Sequence, residues 1–376
     1  MTQLSTIEEA IEDIAAGKMV ILVDDEDREN EGDFVIAAEC VTPDAINFMT
    51  VEGRGLICLA MIGEQVDRLG LEPMVRQNRA PLGTAFTQSI DLRDGGGVGA
   101  KGRANTIAKA IQPDVRSDDF VVPGYVFPLQ ARPGGVLVRS GQTEGSVDLA
   151  RLAGLKPSAV ICEVMALDGT MSRLATLVEF GKKHDIKVVT VADLIAYRLQ
   201  HEPMVVLKSR AKLPTEFGSF DVHTYENTVN GEVHVALTVG DISASSSTLV
   251  RVHRGDTVAD VFGVSGLPSR SRLAWCLRRM AAEGSGVLLY LRPTVQEERL
   301  DDKVRAYGAL ARGENPDTSG SSMGFHDFGV GAQILRSLGL TDIRVMTNAP
   351  RVFKGLSGFG LRIVDWMPIE GEPVER

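Results

Sequence analysis

Between two apolar runs, MVILV (19–23) and FVIAA (34–38), the chain places seven carboxylates in ten residues, DDEDRENEGD (24–33). Apolar runs this short have the length of buried strands, so the acidic stretch is a brief connection anchored at both ends. Like charges held that close repel one another unless a cation or an arginine neutralises them, and only Arg28, Asn30 and Gly32 interrupt them. By itself the run reads as a solvated turn. As a set of hard oxygen donors it reads equally as a site for Mg²⁺ or Mn²⁺.

The alternation of short apolar runs with helical stretches continues to about residue 200 and predicts a layered α/β domain. Ser5 is expected to cap a first helix, with Glu8 three residues on and Gly17 at its close. Pro43 opens another helix, and GLICLAM (55–61) and LKPSAVICEVM (155–165) read as strands. The glycines of DGGGVGAKGR form a loop that opens a helix near Ala104. We divide the chain into a first domain over 1–202, a linker over 203–213 in which Pro203 and Pro214 bracket a short strand, and a second domain over 214–376. The fold class is α/β (α+β) in both, and GENPDTSGSSMG (313–324) is expected to be a mobile loop.

Net charge is −10 with a pI near 5.2, which argues against non-specific binding to nucleic acid. No apolar run reaches the roughly 18–20 residues that span a bilayer, and MTQLSTIEEA lacks the basic start and apolar core of a secretory signal. The four cysteines are scattered without a CxxC pair, which gives neither a disulfide framework nor a zinc knuckle. A cytoplasmic protein is expected, with no membrane, nucleic-acid or zinc partner.

Two further segments carry chemistry. In ARPGGVLVRSGQTEGSVDLARLAG, two glycines and a strand lead to Arg139, a turn at Ser140–Gly141, then Thr143 and Glu144 entering a helix. That is the make-up of a phosphate or carboxylate site at a helix N-terminus, or of an ordinary strand–turn–helix with a capping threonine. Glu163 ends an apolar run, so it is either a strand-end carboxylate facing solvent or a general acid–base with a raised pKa or a partner.

Taken together, DDEDRENEGD, RGLICLAM, GTAFTQSID, PGYVFPL, GGVLVRSGQTEGSVDLARLAGL and AVICEVM resemble the 3,4-dihydroxy-2-butanone 4-phosphate synthase family over residues 1–200. From LPTEFGSF through HVALTVGD, LVRVH, DVFG, GVLLYLR and FGVGAQILRSLGL to TNAP, the second half is similar to the GTP cyclohydrolase II domain fused behind it in bifunctional riboflavin-biosynthesis proteins. The resemblance implies Mg²⁺-dependent conversion of D-ribulose 5-phosphate to the four-carbon phosphate and formate, in a homodimer. It implies that Arg28 and Glu29 meet substrate and metal, and that Asp33 contacts a sugar hydroxyl. Arg139, Ser140, Gly141, Gln142 and Thr143 would hold the phosphate end and metal, and Glu163 would be the essential carboxylate. Glu29 and Gln142 would be the metal ligands. Cys58 matches a cysteine that lines the family site, although in a strand it reads equally as core packing.

The departures are specific. Tyr125 and Gln142 stand where the family usually has histidines. A glutamine carbonyl can still serve Mg²⁺, but a phenol does not exchange protons near neutrality as an imidazole does. Gly102 replaces an acid, while Arg103 remains. In the second half the three zinc cysteines read Asp256, Leu267 and Ser269, which cannot form a thiolate site. PTVQEERL replaces a glutamate–glycine–arginine element, and His326 and Phe328 replace an arginine and a tyrosine. The expected function is therefore the synthase with an inert second domain. The alternatives are a diverged lyase or isomerase on another sugar phosphate, and a non-catalytic regulatory partner of flavin biosynthesis.

Overall fold

A computed structural model describes residues 4–25, 28–242, 247–264, 267–293, 300–312, 325–350 and 359–369. The chain forms two compact units, Met1–Arg198 and Leu199–Arg376. In the first, the strands are β1 (Val20–Val23), β2 (Gly32–Ala37), β3 (Cys58–Met61), β4 (Ile90–Leu92), β5 (Phe120–Gln130), β6 (Ser158–Glu163) and β7 (Lys187–Thr190). The helices are α1 (Ile7–Ala15), α2 (Pro43–Phe48), α3 (Gly63–Arg68), α4 (Ala100–Ala110), α5 (Gln142–Leu152), α6 (Leu174–His184) and α7 (Val191–His201).

The sheet runs β4-β5-β3-β6-β2-β1-β7, parallel at β3/β5 and β1/β7 and antiparallel elsewhere. Strand side chains alternate between faces, and the core divides accordingly. Ile21, Phe34, Leu59, Val160 and Cys162 pack with residues of α2, α3, α4 and α6. Leu22, Val35, Cys58 and Ile161 face the other way, onto α1, α5 and α7. Both faces are covered, which is why the apolar runs are continuous rather than alternating.

Several boundaries differ from expectation for local reasons. Thr6 rather than Ser5 caps α1: its hydroxyl accepts from Glu9 N, and Glu9 returns a bond to Thr6 N, while Ser5 N–H is spent on Val188 O. The GGVLV stretch is not a strand but a short 3₁₀ turn at Gly135–Leu137. Gly135, at φ +64°, leaves no room for a Cβ beside the Asp148 carboxylate. The helix after the glycine loop begins at Ala100, not Ala104.

The short strand expected between Pro203 and Pro214 is present, but it is long and belongs to the second sheet rather than to a linker. Residues 205–215 are strand β8 (Val205–Thr215), which pairs along its length with β9 (Gly218–Asn227). The second unit continues with β10 (Val233–Val239), β11 (Thr248–Arg254), β12 (Gly286–Leu291), β13 (Asp342–Met346) and β14 (Arg362–Met367), in the order β14-β13-β11-β12-β10-β9-β8. Its helices are α8 (Thr257–Phe262), α9 (Ser269–Glu283), α10 (Leu300–Ala311) and α11 (Phe325–Ser337). Segment 313–324 lies outside the described residues, as do 294–299 of PTVQEERL and the side chains of His326 and Phe328.

Helix α5 is buried from Gln142 to Ala150 although QTEGSVD is polar, so each polar group needs a partner. Asp148 accepts from Arg198 and from Val136 N, both at 2.8 Å. Burial raises its pKa despite Arg198. Replacing Arg198 with methionine strands a buried carboxylate and is expected to cost about 3–5 kcal/mol, measured as a lower urea midpoint for the first unit.

Candidate active site

The antiparallel β1–β2 pair closes at Val23↔Gly32, and the acidic loop is the connection between them. Its centre is Asp24, a buried carboxylate that accepts from Glu31 N at 2.8 Å, from Glu29 N at 3.3 Å and from the Arg28 guanidinium. Arg28 Nη1 also donates to Glu29 Oε2 at 2.6 Å and to Gln142 Oε1 at 2.9 Å. Gln142 Nε2 reaches back to Glu31 O at 3.4 Å. The loop is thus folded around its own arginine and tied to the first residue of α5.

Register brings the next carboxylates together. Asp33 on β2 lies opposite Glu163 on β6, and Cys58 on β3 lies opposite Ile161 two residues before it. By period-two alternation Asp33, Glu163 and Cys58 share one face of the sheet. Helix α5 lies on that face: a Cβ on Gly145 would come within 2.5 Å of Leu22 Cδ2, and Leu22 pairs with Asp33. Glu163 Oε2 accepts from Leu56 N at 2.8 Å. Gly55 makes that approach possible, since a Cβ there would meet Glu163 O and Oε2 at 2.5 and 2.6 Å.

Burial, with the charges of Glu163 and Glu29 added, pushes the Asp33 carboxyl well above its ordinary range. The protonated acid therefore persists at pH values where an exposed aspartate is ionised. Burial, with the Glu163 and Asp33 carboxylates added, pushes the Cys58 thiol well above its ordinary value, so Cys58 lines the site as a neutral, buried group rather than a thiolate.

The other wall is the start of α5. Gly141 caps it without a side chain, leaving its first-turn N–H groups uncapped. A Cβ on Gly141 would lie 2.6 Å from Arg139 Nη1 and 3.0 Å from Arg28 Nη2, so two guanidinium groups converge there. Arg139 is held by Glu144 at 2.6 Å and Thr84 at 3.1 Å. Thr143 is buried and Ser140 exposed. Tyr125 is half-exposed on β5, two residues before Phe127, the partner of Cys58. Gly102 has no space for a side chain, because a Cβ would meet Gly97 O at 2.4 Å. The acid missing there has been replaced by close packing of α4 on the glycine loop.

Three contributors escaped the sequence reading. Arg173, just before α6, donates to Glu29 O and Asn30 O; nothing in MSRLA separates it from a surface arginine. Glu144 buttresses Arg139, and the Leu56 N–H holds Glu163. Only the glycine before Leu56 was a visible signal for the last.

In the second unit, Asp256 caps α8 and accepts from Ala259 N, Lys303 and Tyr307. Ser269 donates to Asp260, which also accepts from Tyr290 at 2.8 Å and lies 3.1 Å from His253 Nε2. Burial alone would raise Asp260, but the bond and charge of His253, with the Ser269 bond, hold it down at about 2. Leu267 N–H bonds to Val264 O, and Cys276 is buried in the core under α9. Among the described residues, no three His, Cys, Asp or Glu side chains converge as a ready metal cage, and no helix is long and apolar enough to cross a membrane.

The family model for 3,4-dihydroxy-2-butanone 4-phosphate synthase matches residues 8–197, and that for GTP cyclohydrolase II matches residues 206–368. Riboflavin biosynthesis protein RibBA of Aquifex aeolicus is 49% identical over 382 residues, covering 99% of this chain and 94% of its own. RibBA of Bacillus cereus is 45% identical over 369 residues, covering 97% and 93%. The crystal structure of RibBX, a two-domain 3,4-dihydroxy-2-butanone 4-phosphate synthase from A. baumannii, superposes with a TM-score of 0.79 at 39% identity over 97% of this chain and 99% of that one. A 3,4-dihydroxy-2-butanone 4-phosphate synthase in complex with two magnesium ions gives 0.51 at 38% identity, over 53% of this chain and 99% of that one.

Asp33 supplies a test of the site's electrostatics. A carboxyl whose folded pKa is raised stabilises the fold below its ordinary value, near 3.9, and loses that stabilisation as pH rises through the folded value. Asp33→Asn, always neutral, is expected to melt higher than the parent at pH 8. The gain should be about 1.4 kcal/mol for each unit by which the folded pKa exceeds the ordinary one, disappearing near pH 4. Melting curves at the two pH values check it, and a lower melting temperature at pH 8 contradicts it.

Proposed function

This chain belongs to the 3,4-dihydroxy-2-butanone 4-phosphate synthase family, with a GTP cyclohydrolase II-type domain behind the synthase domain, and we propose that its first unit converts D-ribulose 5-phosphate to 3,4-dihydroxy-2-butanone 4-phosphate and formate in riboflavin biosynthesis. The observation that carries this reading is the facing of two walls: the Asp33–Glu163 pair on one sheet face, and the Arg28–Arg139–Gln142 cluster at the start of α5 above it. A sugar phosphate needs both, an anion site at one end and acid–base groups at the other.

The residues present fit a divalent cation. Glu29 and Gln142 offer oxygens 2.6 and 2.9 Å from one and the same nitrogen of Arg28. Mg²⁺ characteristically takes one or two protein oxygens and completes its shell with water and substrate, so a pair of protein donors is enough for it; Mn²⁺ accepts the same donors. When bound, the cation would polarise neighbouring substrate oxygens and ease loss of a carbon-bound proton. Arg139 and the α5 N–H groups bind the phosphate. Asp33, protonated, holds a proton beside a sugar hydroxyl, and Glu163, fixed by Leu56 N–H, is the carboxylate that accepts one. Tyr125 stands at the site's open side and orients or covers substrate rather than carrying its proton. A homodimer is part of the same proposal, supported by exposed Val121, Val122 and Tyr125 on β5. The compartment is the cytoplasm.

For the second unit we propose a scaffold without GTP cyclohydrolase II activity and without zinc. Its support is chemical: Asp256 and Ser269 are occupied by hydrogen bonds to their neighbours, Leu267 has no donor side chain, and Cys276 lies in the core. A diverged lyase or isomerase on another sugar phosphate is the second reading, favoured by Tyr125 and Gln142.

With Mg²⁺ and ribulose 5-phosphate, the full chain is expected to release formate, and Glu29→Ala and Glu163→Ala should each lower kcat/KM by about 10²-fold or more. No formate, with turnover of a related sugar phosphate, would establish the second reading. With GTP and added Zn²⁺, no product and no tightly held zinc are expected; one zinc per chain in the second unit overturns the scaffold reading.

A further inference from the structure

The acidic loop holds more negative charge than Arg28 can balance, and the structure shows where the second cation comes from. Arg173 Nη1 donates to Glu29 O at 2.7 Å and Asn30 O at 2.5 Å, and lies 3.9 Å from Glu31 Oε1. Asn30 is left-handed, at φ +54°, a conformation uncommon outside glycine although asparagine adopts it more readily than most residues. One turn further along α6, Leu177 packs on Gly32, where a Cβ would come within 2.5 Å of Leu177 Cδ1. Arg173 and Leu177 are four residues apart and so share a helix face. That face grips the backbone of residues 29–32 from the side opposite α5.

We propose that Arg173 is a positioning residue that sets the Glu29 carboxylate for a divalent cation by fixing the two peptides on either side of Asn30. Arg28 pulls the Glu29 side chain toward Gln142; Arg173 fixes the main chain from which that side chain starts. With Arg173 removed, the carbonyls of Glu29 and Asn30 lose this donor, the turn keeps only its bonds to Asp24 and Asp25, and Glu29 samples positions away from Gln142. The inference rests on the reading of Glu29 as a cation ligand. Arg173 is also half-exposed, so its loss leaves no buried cavity to unfold the domain.

The test is Mn²⁺ binding to the full chain, by electron paramagnetic resonance and calorimetry without substrate, for Arg173→Gln, Arg173→Lys and Glu29→Gln. Arg173→Gln is expected to weaken Mn²⁺ binding about 10-fold or more, with melting temperature nearly unchanged. Arg173→Lys, which keeps a cationic donor, should recover most of it. In turnover, Arg173→Gln should lower kcat and raise the Mg²⁺ requirement while leaving KM for the sugar phosphate within about 3-fold, since the phosphate wall is untouched. Wild-type Mn²⁺ affinity in Arg173→Gln overturns the proposal when Glu29→Gln binds weakly. Wild-type affinity in Glu29→Gln overturns the ligand reading beneath it. If Arg173→Gln does not fold, Arg173→Ala, which also removes the donor, decides: weakened Mn²⁺ affinity supports the proposal, and wild-type affinity overturns it.

Discussion

One nitrogen of Arg28 donates to Asp24, Glu29 and Gln142, and through it a loop that would repel itself becomes the floor of a site. Two of those partners are carboxylates of the same loop, and the third opens a helix far along the chain. Charge-assisted bonds of this kind are the stronger class, and they are made where the loop is partly screened from water. Arg173 completes the balance from the other side. Among the described residues of the run, Asp24 and the stretch from Arg28 to Glu31 are held by two guanidinium groups, with Glu29 beside Gln142.

Helix α5 carries the second constraint. A polar helix enclosed over most of its length has to satisfy each side chain inside the protein, and it does so in pairs: Glu144 with Arg139, Asp148 with Arg198, Gln142 with Arg28. The same pairings that make burial tolerable aim Arg139 and Arg28 at the helix N-terminus, where an anion is favoured by uncapped N–H groups. Stability of the helix and placement of the proposed phosphate site therefore depend on one arrangement. The second unit shows the converse. Around Asp260, donors from Ser269, Tyr290 and His253 are turned inward on a carboxylate, leaving a network that is closed on itself.

Much of the fold was legible because it rests on local patterns. Apolar runs located β1, β2, β3 and β6, Pro43 located α2, and residue types singled out Arg28, Arg139 and Glu163, while Glu29 was singled out by the family resemblance. What misled was also local. Thr6 and Ser5 are both good caps, and only the bond from Ser5 N to Val188 O decides between them. The apolar letters of GGVLV suit a strand, but Gly135 has to turn there to clear Asp148. Pro203 and Pro214 suggested a connector with only a short strand, yet at the edge of a sheet Pro214 costs no ladder bond, so the strand runs through residues 205–215.

By itself the sequence determined that an acidic loop joins two buried strands and that a small-residue turn opens a helix after Arg139. Those are properties of residue type and spacing, and they need no partner from elsewhere in the chain. Tertiary structure alone decided that Asp33 faces Glu163, that Cys58 shares their face as a neutral thiol, and that Arg173 reaches the carbonyls of Glu29 and Asn30. Each of these depends on which strand lies beside which and in what register. A shift of one residue in that register would turn Asp33 to the other face of the sheet and leave the same letters without a site.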